Sequence, residues 1–158
     1  MPGPGIRRNW RQIRVSRPSA GADWAQAAGG QRYWRITTMV ARLVTSAVAG
    51  NRRVRLQATE GGLTYFVAEA HLDHPANTTV DYAAHTGSPA TSGTNLVLPL
   101  PLPSGGLVLR PGASLAVVTS GIDAGDQWSA ITALAEEIPS GLEYEGDQFT
   151  RPTETLGG

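Results

Sequence analysis

The chain predicts an all-β fold: a β-sandwich or jelly roll of about eight short strands, with extended N- and C-terminal arms. Three observations lead there. Runs rich in Val, Ile, Thr, Leu and aromatic residues alternate apolar and polar along their length, the period-2 signature of a half-buried strand. The chain holds 19 Gly and 11 Pro in 158 residues, and they punctuate it at the roughly 8–12-residue spacing of strand-turn-strand folds. No long 3.6-residue periodicity is available to cover a parallel sheet.

Residues 1–22 read as a basic arm. Pro2, Pro4, Pro18, Gly3, Gly5 and Gly21 oppose regular structure at both ends. Between them Arg7, Arg8, Arg11, Arg14 and Arg17 are interleaved with Ile6, Trp10, Ile13 and Val15. Ile6, Trp10, Ile13 and Arg17 fall on one helical face. The apolar residues are therefore expected to dock on a neighbouring surface while the arginines bind carboxylates or phosphates. A solvated tail is the alternative.

The body, residues 23–138, opens near Asp23-Trp24. Residues 31–47 read as a long strand with room for a bulge. Residues 53–58 alternate, with Val54, Leu56 and Ala58 on one face and Arg53, Arg55 and Gln57 on the other. Glu60-Gly61-Gly62 signals a hairpin that returns as strand 63–70. After the loop 71–77, residues 78–84 form a short strand. In residues 96–103 Leu recurs at every second position and three prolines remove alternate backbone donors. That pattern fits only an edge strand or a polyproline-like rail, and its prolines discourage uncontrolled strand addition. Short strands follow at 107–109 and 114–119. Residues 126–138 admit two readings. A helix capped by Asp126 would line up Trp128, Ile131, Ala135 and Ile138. A strand would turn Trp128, Ala130, Thr132 and Leu134 inward, and it is favoured because the preceding strands need a closing partner. Residues 139–158 are Gly-punctuated and acidic, a tail that orders only against something else.

Charge is sorted along the chain. Eleven of thirteen Arg lie in residues 1–55 beside a single acid, Asp23, while residues 56–158 carry twelve acids with only Arg110 and Arg151. The net charge of zero hides two opposed halves, and there is no Lys. Arg is a rigid fork suited to bidentate ion pairs and to packing over aromatic rings. The expectation is that copies tile onto one another or onto a shared scaffold. Arg7, Arg8, Trp10, Arg11, Arg14 and Arg17 of the arm, with an exposed basic strand of Arg52, Arg53 and Arg55, would meet acidic surface. Glu136, Glu137, Glu143, Glu145 and Asp147 of the acidic tail would meet basic surface. Pairing of the two halves within one molecule is the alternative.

Signals for chemistry are sparse. The absence of Cys removes disulfides, thiolate metal sites and thiol catalysis. No apolar run approaches the roughly 20 residues of a membrane-spanning helix, and no hydrophobic stretch follows the N-terminal arginines to make a secretory signal. On that reading the Asn77-Thr78-Thr79 sequon is a chance match. His71-Leu72-Asp73-His74, with Asp81 and His85, uses a metal-ligand vocabulary at no recognised spacing. Asp123-Ala124-Gly125-Asp126 resembles part of a calcium loop but lacks its closing oxygens. There is no Gly-x-Ser-x-Gly elbow. Gly29-Gly30, Gly61-Gly62 and Gly105-Gly106 are turn doublets rather than phosphate cradles. On a strand Glu136 and Glu137 point to opposite faces, the wrong arrangement for an acid/base couple. The expectation is a non-enzyme with no cofactor, metal or small-molecule substrate. A near-neutral isoelectric point argues against nucleic acid as the main partner, and Trp10, Trp24, Trp34 and Trp128 are too scattered to define a sugar-binding platform.

Three stretches, Val44–Leu56, Leu109–Leu115 and Gly125–Ser129, resemble small β-rich virion proteins of tailed bacteriophages. The likeness spans roughly residues 24–138 and leaves out the arm and the tail. It implies an architectural role: a capsid cement or decoration protein at the virion surface, made in the host cytoplasm. Its partners would be the major capsid protein and copies of itself, as a homotrimer. A neck, tail or fibre-base component is the first alternative, and a carbohydrate- or host-surface-binding sandwich module the second.

Overall fold

The computed structural model describes residues 9–29, 32–86, 97–139, 143–145 and 148–150. The chain is all-β, with no helix among these residues. Its strands are β1 (Asn9–Val15), β2 (Ala25–Ala27), β3 (Arg32–Val44), β4 (Arg53–Glu60), β5 (Leu63–Glu69), β6 (Thr79–Thr86), β7 (Val97–Leu102), β8 (Leu107–Leu109), β9 (Ser114–Ser120), β10 (Gln127–Trp128), β11 (Ile131–Pro139), β12 (Glu143–Glu145) and β13 (Gln148–Thr150). Eleven of them form two sheets. The larger runs β1-β11-β3-β6-β7, with β10 and β8 also pairing with β3; the smaller runs β2-β9-β4-β5. β12 and β13 pair with each other as a hairpin. The inner faces of both sheets contribute to one core, which makes the fold sandwich-like.

The long strand β3 organises the larger sheet, and the anticipated bulge is what lets it. Its pairing with β11 skips Thr37. Inward parity accordingly changes from Trp34 and Ile36 to Met39, Ala41 and Leu43. One extra residue keeps both ends of a 13-residue strand turned to the core. β4 buries Val54, Leu56 and Ala58 as its alternation requires. The β4–β5 hairpin turns on Gly61 and Gly62, with φ of 57° and 81°, a left-handed pair that side chains with a Cβ resist. The Leu-Pro run is an edge strand: β7 ends its sheet and buries Leu98, Leu100 and Leu102. Its pairing with β6 is parallel.

Two expectations change. Residues 9–15 are a strand rather than a helical face. β1 pairs with β11 from Asn9↔Glu137 to Val15↔Ile131, and it directs Ile13 into the core while Trp10, Gln12 and Arg14 face outward. Alternate apolar residues suit a strand as well as a helix over so short a span, and the unpaired edge of β11 decides between them. Residues 127–139 are strands, but their inward set differs from the expected one. Trp128 is buried, Ser129 and Ala130 break the run, and β11 then buries Ile131, Ala133 and Ala135 while Leu134 faces solvent.

Candidate functional site

The sorted charge is largely resolved inside the molecule. Antiparallel pairing lays front-half strands against back-half strands, so seven front-half arginines reach six back-half carboxylates. Arg11 and Arg32 share Glu137, Arg35 holds Glu136, Arg42 holds Asp81, Arg52 holds Asp126, Arg53 reaches Glu69 and Asp73, and Arg55 reaches Glu69. This corrects the placing of Glu136 and Glu137 in a tail. Both are buried on β11. Arg32 and Arg11 hold the Glu137 carboxyl below its ordinary range against a burial that pushes it up.

Arg52 departs furthest from expectation, because it is fully buried and not part of an exposed strand. All five of its N–H donors are used. Nε donates to Asp126 Oδ2 at 2.8 Å and Nη2 to Asp126 Oδ1 at 3.0 Å. Nη2 also donates to Ser46 Oγ, and Nη1 to the carbonyls of Val48 and Gly50. Asp126 further accepts the N–H groups of Ser46 and Asp123, each at 2.8 Å. The Asp123–Asp126 turn, calcium-like in sequence, thus has a guanidinium where such a loop would hold a cation. Burial pushes the Asp126 carboxyl up, and the Arg52 fork with the two backbone donors more than offsets it, leaving the group below its usual range.

The hub continues through His74, joined to Arg52 by a backbone bridge. His74 Nε2 lies 3.2 Å from the Thr78 carbonyl and Nδ1 lies 3.1 Å from the Tyr82 hydroxyl. A carbonyl only accepts, so Nε2 carries the proton and Nδ1 accepts from Tyr82. Burial favours this neutral ring and lowers the His74 pKa. Tyr82 stacks at a tilt on Trp128, their ring centres 5.5 Å apart. Trp128 donates to Asp23, which also accepts from Thr119 on the other sheet. These groups close one end of the sandwich. Their polar atoms are engaged by internal partners. Among the described residues no three His, Cys, Asp or Glu side chains converge to hold a metal. Asp73, Asp81 and His85 face separate partners in Arg53, Arg42 and the Thr86 carbonyl.

One surface open to a partner is the outward face around β1. Trp10 and Val40 are each 52% exposed and Leu134 is 40% exposed. Trp10 stands opposite Glu136 and Gln12 opposite Leu134 on β11, while Leu134 faces Thr38 and Thr132 faces Val40 on β3. Trp10, Leu134 and Val40 therefore run diagonally across three neighbouring strands, at steps of about 7–8 Å. Arg14, opposite Thr132, flanks this stripe. Among the described residues Arg14 and Arg17 have no carboxylate partner, in contrast to Arg11 beside them. Of the arm residues singled out in the sequence, Trp10, Arg11 and Arg14 thus lie on one strand, and Arg17 follows it. Arg7, Arg8 and Asp147 lie outside the described residues. Glu143 and Glu145 belong to β12. Arg53 and Arg55 lie on the outward face of β4 but are already paired with acids.

No protein-family model, curated protein or solved structure matches the chain.

Proposed function

We propose that this chain is a structural binding protein rather than an enzyme: a virion component of the tailed-phage kind that its motifs resemble, acting as a capsid cement or decoration protein. The resemblance supplies the virion setting. The observation that carries surface attachment is the β1 face, where an apolar diagonal of Trp10, Leu134 and Val40 is flanked by Arg14. Most other described arginines are neutralised internally, so this cation stands out as available to an external carboxylate. An amphipathic indole at one end of an apolar stripe and an unpaired guanidinium at the other are the composition of a protein-binding hot spot. Burying Trp10 at a lattice contact would contribute roughly 1.5–3 kcal/mol per copy, multiplied by effective concentration where a copy bridges several subunits.

The test is the number of copies per purified particle, counted by quantitative mass spectrometry. Hundreds of copies, in simple proportion to the major capsid protein, support the cement reading. A few to a few dozen move the protein to the neck, tail or fibre base. Absence from particles sinks the virion reading and leaves a glycan- or host-binding module, whose binding would be lost on changing Trp10 to Ala.

A further inference from the structure

On the flank opposite β1, the β4–β5 hairpin stands beside β8 and encloses an open groove of about 420 Å³ lined by Glu60, Leu63, Tyr65, Val108 and Arg110. The glycine turn fixes its composition, because Glu60 and Leu63 are paired across Gly61-Gly62 and project together from the tip. Leu63 is 76% exposed, the largest exposure of a large apolar side chain among the described residues. Tyr65 spans the seam between the sheets, donating its hydroxyl to the Val108 carbonyl at 2.9 Å, with about half its surface still open to solvent.

The charges at the rim are what point to an occupant. Among the described residues neither the Glu60 carboxylate nor the Arg110 guanidinium has a hydrogen bond or an ion pair. They line one groove without pairing across it, and both act on the Tyr65 phenol. Burial chiefly raises its pKa, Glu60 adds to the rise and Arg110 opposes it. Seven of the ten described arginines have found an acid within the molecule, so an unpaired acid and an unpaired base on one apolar patch are a self-complementary set. A patch that carries both halves of its own contact meets a second copy isologously, across a two-fold axis. We propose that this groove is a homodimer interface, in which Leu63 of each copy caps the other's groove and Glu60 of each pairs with Arg110 of the other. An apolar centre with a charged rim is the usual anatomy of such contacts, and the reciprocal pairs fix its register. The inference is independent of scaffold attachment. It uses another flank of the molecule and is read on the free protein.

Sedimentation equilibrium on the full chain tests it. The unmodified protein is expected to be dimeric at about 100 μM and to dissociate as salt rises. Glu60→Arg sets like charges against Arg110, and Arg110→Glu does the same against Glu60, so each is expected to weaken the dimer roughly tenfold or more. The double variant reverses both ends of each pair and is expected to restore dimerisation, with circular dichroism verifying the fold throughout. All three changes fall on exposed side chains, so loss of fold is not the expected result. A monomer, a trimer, single variants that dimerise like the unmodified chain, or a double variant that stays dissociated would each overturn the proposal.

Discussion

Arg52 and Arg14 are the same residue in opposite situations. Arg52 sits in the hub between the β3 end and the Asp123–Asp126 turn, with five donors satisfied and no contact with water. Arg14 sits outward on an edge strand with no acid in reach among the described residues. In the chain both belong to the same basic half. What separates them is which strand the fold lays beside each: the Asp126 turn for one, a threonine on β11 for the other. Linear charge therefore reports how much pairing capacity a segment has. Sheet pairing decides whether that capacity is spent on the fold or left for a partner.

The comparison breaks most visibly at the hub. Arg52→Met leaves Asp126 buried without its cation, and an uncompensated buried charge costs about 3–5 kcal/mol. Asp126→Leu alone is expected to cost a similar amount. The double variant removes both charges, and its loss is expected to be smaller than the sum of the two by about 1–3 kcal/mol. Urea denaturation with two optical probes measures all three. Additive losses would mean that the pair is not a unit.

Acid sharpens the same contrast. Buried His74 is held neutral, so its folded pKa lies below the unfolded value of about 6.5. Its contribution to stability is complete above about pH 6.5 and is lost as pH falls toward the folded value, because only the unfolded ring takes up a proton in that window. Asp126 is also depressed, and its contribution goes at lower pH, beneath the unfolded carboxylate value of about 4. Melting temperature against pH is therefore expected to fall in two steps. In His74→Gln the upper step disappears and the lower one stays. A single step common to both proteins would remove His74 from the account.

The exposed pairs come next. Arg55 lies against Glu69 across the β4–β5 ladder, its side chain 44% exposed. Water screens such a contact, so Arg55→Ala is expected to cost no more than about 1 kcal/mol in the same denaturation series. A loss as large as that of Arg52→Met would erase the distinction between hub and surface.

Much of the sandwich was legible because its rules are local. The alternation of Val54, Leu56 and Ala58 fixed the inner face of β4, Gly61-Gly62 announced its hairpin, and the prolines at 99, 101 and 103 marked an edge. The rest depends on partners far along the chain. In β1 the interleaved arginines masked an alternation that only β11 turns into a strand. In β11 the inner face does not follow from counting onward from Trp128 as one continuous strand, because Ser129-Ala130 resets the parity. The signal was present in Ile131, Ala133 and Ala135. Nothing near Arg52 in sequence distinguishes it from Arg53. Its burial requires the Asp123–Asp126 turn, more than seventy residues later, and that turn by itself resembled a metal loop. The candidate site was half legible. Trp10 and Arg14 are legible as arm residues, but the strand reading turns Leu134 inward and gives Val40 no surface, and only the register places both in line with Trp10.

The smallest effect on stability belongs to the β1 face, and it is the one that separates folding from function. Trp10 already exposes half its surface, and Arg14 has no acid to lose among the described residues. Trp10→Ala and Arg14→Glu are therefore each expected to shift unfolding free energy by no more than about 0.5 kcal/mol. Their effect on attachment should run the other way. Removing an indole anchor and reversing its flanking charge take away the apolar and the electrostatic halves of the contact together, so occupancy on a lattice or other acidic scaffold is expected to drop at least tenfold. The Arg14→Glu loss should deepen at low salt, where repulsion is least screened. Binding of each variant measured beside its urea curve decides the matter. If attachment and stability fall together, the β1 face is part of the fold's own support, and the partner surface must be sought on the other flank.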